Sequence, residues 1–285
     1  MTAEEYNIRS MAKFGWTRVG LGLPMDATFD EITDFIRDFQ KSQGLVMDGR
    51  CGPDTWRRLR TYAEHLVYKA NPDAKGFILS GGVLKPVPFK SIPCSLGSAH
   101  SLIGEGGHSH RSKDPTQVVW HWDAALSSES CYRVLKERGL SCHGGIDNDG
   151  TFIQYLDFRD HVGWHAGNRR VNKRSIGFEI SNAVYLEYQK YYAKRWGERP
   201  ILSTEVHGRQ VTLLGFYESQ IRTCIYLSSF IYNEFDIPLV HPNSTSIISN
   251  PWDFEGHMAH LHITEDKWDV AGFPWDYVMK EAIDE

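Results

Sequence analysis

The chain has few cysteines, no long apolar run and no surplus of basic residues, and each shortage removes a class of protein. Its five cysteines (Cys51, Cys94, Cys131, Cys142 and Cys224) are odd in number, scattered and never spaced as a Cys-x-x-Cys pair. That excludes a disulfide framework and reads as a reduced chain made in the cytosol. No apolar stretch reaches the ~20 residues of a membrane span, so membrane insertion is not expected. The start, Met1-Thr2-Ala3-Glu4-Glu5-Tyr6, lacks a basic segment followed by an apolar one. No secretory signal is therefore expected. A formal net charge of −5 argues against nucleic acid, which calls for a basic footprint.

What is present is ordinary for a globular protein: 41% hydrophobic and 24% charged residues over 285 positions. That length suits one large domain or two smaller ones, at roughly 100–200 residues each. The nine tryptophans suggest packed cores first and a saccharide-stacking surface second.

Residues 1–68 read as three short helices. Thr2 with Glu5, and Thr28 with Glu31, fit the capping box that satisfies free amides at a helix start. Ile32, Phe35, Ile36 and Phe39 fall at helical spacing as one apolar stripe, and Gly44 ends that helix. Pro53 suits the first position of the third helix, with Trp56, Leu59, Ala63 and Leu66 inward. The run Ile36-x-x-Phe39-Gln40, Gly44-Leu45, Asp48-Gly49-x-x-Gly52-Pro53-x-Thr55-Trp56-x-x-Leu59 resembles the three-helix peptidoglycan-binding domain. A generic helical domain with an Asp-Gly connector is the plainer alternative; the whole pattern favours wall binding.

From 69 to 115, Pro72, Pro86, Pro88, Pro93 and many Gly and Ser residues mark a linker and an irregular lead-in segment. His100, His108 and His110 lie here and read as solvated histidines rather than a second metal cluster. Residues 116–285 alternate strand and helix patterns, as an α/β domain does. Val118–His121 and Ser175–Ile180 read as strands, Ser128–Arg138 as a helix closed by Gly139, and 142–156 as a hairpin around Asn148-Asp149-Gly150. Phe216–Phe235 reads as a long helix with Ile221, Cys224, Ile225, Ile231 and Tyr232 on one face. Residues 184–214, polar and tyrosine-rich, read as an inserted loop or hairpin.

Five blocks carry chemistry-bearing residues in order: the strand ending in His121; Ser141-Cys142-His143 leading to Asp149-Gly150-Thr151; Trp164-His165-Ala166-Gly167; Ser175-Ile176-Gly177-Phe178-Glu179; and His260-Leu261-His262-Ile263 with Lys267-Trp268-Asp269. Read as a strand, the last block turns His260 and His262 to one face, so either could be a ligand; His257 is a weaker candidate. A glutamate in a buried strand is costly without a partner, which favours a role for Glu179.

Together the blocks resemble the type-2 N-acetylmuramoyl-L-alanine amidases, a likeness running from about 117 to 276 around the insertion. The resemblance implies a central mixed β-sheet flanked by helices. It implies that His121, His260 and Asp269 hold Zn2+, the His-x-x-aliphatic pattern selecting His260. Glu179 would be the general base on a zinc-activated water, and Lys267 would stabilise the oxyanion. Trp164 and His165 would line the substrate pocket. Two departures stand out: Val270-Ala271-Gly272 where many members have Pro-Gly, and Cys142 where some have a catalytic tyrosine. The second shifts the burden to Glu179.

The implied protein is a peptidoglycan hydrolase of the phage endolysin kind. It would be a monomer, made in the host cytoplasm and acting on the bacterial wall after release at lysis. A bacterial autolysin or muropeptide-recycling enzyme is the alternative setting. A non-catalytic wall-recognition protein and a zinc peptidase cutting within the stem peptide are the rivals in kind.

Overall fold

Thr28 starts the second helix as its spacing to Glu31 predicts, its hydroxyl accepting from the Glu31 amide at 3.3 Å while the Glu31 carboxylate accepts from the Thr28 amide at 2.7 Å. The same exchange joins Thr2 and Glu5 at the first helix. Caps of this kind contribute about 1 kcal/mol each. The computed structural model describes residues 1–14, 16–18, 21–94 and 98–285. Its first three helices are α1 (Ala3–Phe14), α2 (Phe29–Ser42) and α3 (Pro53–Ala70). Ile32, Ile36 and Phe39 meet Trp16, Leu21, Trp56 and Leu59 in a core of their own. Gly49 sits at φ +68°, where a Cβ would lie 2.6 Å from Thr33 Cγ2, so the Asp48-Gly49 turn demands glycine.

Helix α3 behaves differently along its length. Its first turns face α1 and α2, but Leu66 is exposed instead of inward. The second half turns Val67 and Tyr68 toward the strands that follow, with the Tyr68 ring 4.3 Å from Phe77.

The 69–115 segment holds more regular structure than its Pro and Gly content suggests. Strands β1 (Gly76–Ser80) and β2 (Val83–Val87) form an antiparallel hairpin. A two-residue strand, β3 (Ser91–Ile92), and a three-residue strand, β4 (His108–His110), follow. Both are too short to leave a periodic signal. Residues 95–97 of this segment lie outside the described residues.

Beyond it come β5 (Gln117–Trp122), α4 (Ser128–Arg138), β6 (Gly144–Ile146), β7 (Phe152–Gln154), β8 (His161–Gly163), α5 (Arg169–Arg174) and β9 (Ser175–Ile180). Helix α4 is closed by left-handed Gly139, as the sequence predicts, and its start is capped by Ser127. The insertion contributes α6 (Gln189–Ala193) and a hairpin of β10 (Ile201–Val206) and β11 (Arg209–Leu214). Buried Arg199 ties it down, donating to the carbonyls of Gly215 and Ser181 at 2.7 Å each, between the Tyr192 and Tyr217 rings. Then follow α7 (Glu218–Phe235), β12 (Gly256–Ala259) and α8 (Trp275–Glu281).

The central sheet runs β12-β5-β9-β6-β7-β3, with β6 and β7 antiparallel and the other pairs parallel. It is thus the expected mixed sheet flanked by helices. Side chains alternate across it. Val118, Trp120, Ile176 and Phe178 join α7 and α8 residues such as Leu227, Ile231 and Val278 in the main core. Val119, Met258 and Val171 of α5 pack on the other face. On α7, Tyr232 is exposed rather than inward, one helical step round from buried Ile231. Among the described residues no helix is long and apolar enough to cross a membrane.

Candidate metal centre

The same alternation that sends Trp120 and Trp122 into the main core turns His121 to the opposite face. The parallel register of β5 and β9 pairs His121 with Glu179. His260 arrives from β12, the neighbour of β5 on its other side. Asp269 returns on the loop after it, where the Leu261 amide donates to the Asp269 carbonyl at 2.7 Å.

Three ligand-type groups converge. His121 Nδ1 lies 3.1 Å from His260 Nδ1 and 2.9 Å from Asp269 Oδ2, and His260 Nδ1 lies 3.2 Å from the same oxygen. All three donor atoms fall within 4.8 Å of one another, and all three residues are buried. Among the described residues no other group of three or more His, Cys, Asp or Glu side chains meets this test. Burial pushes His121 down to about 4, so its imidazole is neutral near pH 7. Burial works to raise Asp269, but the hydrogen bonds to His121 and His260 hold it well below the usual carboxylate range. Two imidazoles and a carboxylate form a donor set that suits zinc.

His260 and His262 do not share a face, because residues 260–262 form a 3-10 turn and not a strand. His262 faces away: its Nδ1 accepts from the Ala259 amide at 3.0 Å and its Nε2 meets the Ser244 carbonyl at 2.8 Å. His257 is buried on the main-core side, where its Nδ1 accepts from Trp120 Nε1 at 3.2 Å.

Glu179 Oε2 is buried and has no hydrogen-bond partner among the described residues. Burial, and then the charges of Asp269 and Asp123, push its carboxyl well above the usual range, while Lys267 opposes them. Lys267 itself is exposed, and its carbonyl is met by His207 Nε2, at the tip of the inserted hairpin, at 2.9 Å. Trp164 is 45% exposed. His165 takes a different place from the one expected. Its Nδ1 is 3.0 Å from His121 Nε2 and its Nε2 is 3.2 Å from Ser175 Oγ. Both nitrogens thus lie against protein groups, and the ring is only partly buried.

Of the lead-in histidines His110 is exposed as expected, while His100 and His108 are only partly so. His108 stacks edge-on against His161 at 5.0 Å, and His100 pairs with Glu129. Cys142 is a buried thiol whose pKa burial pushes well above its ordinary value.

Two buried residues escape sequence reading. Asp123 Oδ1 accepts from the Ala125 and Asn182 amides at 2.8 and 3.0 Å, joining the ends of β5 and β9. Its place two residues after His121 is a signal in hindsight. Arg111 donates to the carbonyls of His161, Lys173 and Ser175 at 3.0, 3.0 and 2.7 Å. It lies in a segment whose composition gives no sign of burial.

Residues 110–271 match the family described as N-acetylmuramoyl-L-alanine amidase, and residues 12–59 match a peptidoglycan binding domain. Among solved structures, one similar chain is a selenomethionine derivative of AmpD. It has 17% identity and a TM-score of 0.37, with 67% of this chain and 93% of that one covered. A second is AmpDh3 from Pseudomonas aeruginosa in complex with anhydromuramic pentapeptide: 19% identity, TM-score 0.41, and 59% and 60% coverage. A third is the Ph2119 endolysin of a Thermus scotoductus bacteriophage: 10% identity, TM-score 0.35, and 61% and 89% coverage. The comparison with curated proteins gives no match.

Proposed function

The chain belongs to the N-acetylmuramoyl-L-alanine amidase family, and from that premise we propose that it is a zinc-dependent peptidoglycan hydrolase of the endolysin kind. The bond cut is the amide between the lactyl group of N-acetylmuramic acid and L-alanine of the stem peptide. The observation that carries this reading is the convergence of His121, His260 and Asp269 beside Glu179.

In this reading His121 Nδ1, His260 Nδ1 and Asp269 Oδ2 hold zinc, which when bound supplies Lewis acidity to a carbonyl oxygen and makes water a stronger acid. Glu179, with an unpaired carboxylate oxygen and a raised pKa, takes the proton of the attacking water and passes it to the departing amine. Lys267 offers an ammonium to the charge developing on the carbonyl oxygen. Trp164, exposed beside His165, offers an apolar face to the substrate. The three-helix region, residues 1–68 in the sequence reading, holds the enzyme on the wall, and 116–285 supply the hydrolase. A wall-holding region favours action on intact wall over soluble fragments. Release at lysis, after synthesis in the host cytoplasm, is the setting that fits.

Digestion of purified sacculi, with products read by mass spectrometry, tests the proposal. The expected products are free L-alanine amino groups and intact glycan strands without new reducing ends, and a chelator abolishes their release. New reducing ends, cuts within the stem peptide, or digestion indifferent to chelator each overturn it.

A further inference from the structure

His121 turns Nδ1 toward His260 and Asp269, which leaves Nε2 pointing the other way, 3.0 Å from His165 Nδ1. A histidine that ligates through Nδ1 carries its proton on Nε2 and needs an acceptor there. Metal-ligating histidines usually find it in a carboxylate, a backbone carbonyl or water. Here the atom in that position belongs to a second imidazole. The tautomers then follow in series. His121 donates from Nε2 to His165 Nδ1, so His165 keeps its own proton on Nε2 and donates it to Ser175 Oγ at 3.2 Å.

Shape holds the second ring as well. The two imidazoles meet edge-on, with centroids 5.1 Å apart and planes at 83°. A Cβ at Gly177 would fall 2.6 Å from Cγ, Cδ2 and Nδ1 of His165, and one at Gly163 would fall 3.3 Å from Cδ2. Gly177 lies within β9 and needs no positive φ. Its missing side chain therefore serves space, not backbone freedom. The strand that presents Glu179 makes room, two residues earlier, for the partner of His121.

We infer that His165 is a positioning residue for the metal centre: its Nδ1 fixes the tautomer and orientation of His121, and Gly177 is the cradle that keeps it in place. This rests on reading His121, His260 and Asp269 as the metal-holding group.

The test uses the full chain and zinc alone, with affinity read by competition against a chromogenic chelator. His165→Phe fills the cradle but offers no acceptor, and its zinc dissociation constant rises about 10–100-fold. His165→Asn carries an amide oxygen near the place of Nδ1 and stays close to wild type. Gly177→Ala keeps His165 but displaces its ring, and weakens zinc as His165→Phe does. Thermal unfolding in chelator reports that each variant is folded without the ion. Should His165→Phe not fold, Gly177→Ala against wild type decides alone. Unchanged affinity in a folded His165→Phe or Gly177→Ala overturns the inference. So does an equal loss in His165→Asn, which would assign the effect to packing. If wild type itself binds no zinc, the metal-centre reading falls and this inference with it, an outcome distinct from tight wild-type binding that the variants leave untouched.

Discussion

Glu179 and Asp269 are both buried carboxylates at one centre, yet their surroundings drive them apart. Hydrogen bonds to two imidazoles hold Asp269 ionised, whereas Glu179 has an unpartnered oxygen and two carboxylate neighbours that raise it. A pair pushed apart in this way divides the work between ligand and proton carrier. Glu179→Ala is therefore expected to keep zinc and lose about 10²–10⁴-fold in kcat, the usual contribution of a positioned base. Asp269→Ala is expected to lose the ion as well. Zinc content by elemental analysis, beside turnover of a soluble muropeptide, checks both. Full activity in Glu179→Ala, or full zinc in Asp269→Ala, would reverse these roles. The ligand candidates were legible because each sits in a block of neighbours that restricts it. The place of His165 was not, since the atom that claims its Nδ1 comes from a residue 44 positions away.

At the scale of elements, legibility followed length and local chemistry. The end of α4 and the run of β9 could be read because Gly139 and an apolar stretch mark them within a few residues. Strands β3 and β4 could not, because two or three residues carry no period and exist only through their partners β7 and β8. The stretch 260–262 was misread for a related reason: an apolar run enters from β12, but the chain turns at His260. Strand β12 also carries a titratable liability. His257 is buried, which pushes it down to about 3, from an ordinary 6.5. Its folded value lies below its unfolded one, so the stability it contributes is complete above pH 6.5 and is lost as pH falls toward 3. Over the first unit of that window the loss is about 1 kcal/mol. His257→Gln retains an acceptor for Trp120 Nε1 and does not titrate. Denaturant unfolding in chelator at pH 6.5 and 5.5 should show wild type losing about 1 kcal/mol more than this variant. Equal losses would show that His257 does not titrate in this range.

Across the whole molecule, the first three helices and the sheet keep separate cores, and this bears on how the wall is engaged. Trp16, Leu21, Ile32, Ile36, Phe39, Trp56 and Leu59 pack with one another, and that cluster draws no residue from beyond α3. One tie between the two parts lies at the far end of α3, where Val67 and Tyr68 pack against the β1–β2 hairpin, and Arg60 adds another by donating to the Cys94 carbonyl at 3.4 Å. A cut inside α3 would split the helix, so the cleaner division falls after Ala70, although either cut parts Phe77 from the Tyr68 ring. If the helical region alone supplies wall affinity, residues 1–70 fused to a fluorescent reporter sediment with purified sacculi. The fusion then competes with the full chain for the same sites. The complementary chain, 71–285, still frees the stem peptide, with its L-alanine amino group, from soluble muropeptides, because every group of the centre lies within it, but sediments poorly. Competition is the decisive arm, since a basic or sticky fragment can sediment without sharing a site. A fusion that neither sediments nor competes, beside a 71–285 chain that binds sacculi as well as the whole, would move wall recognition to the catalytic face.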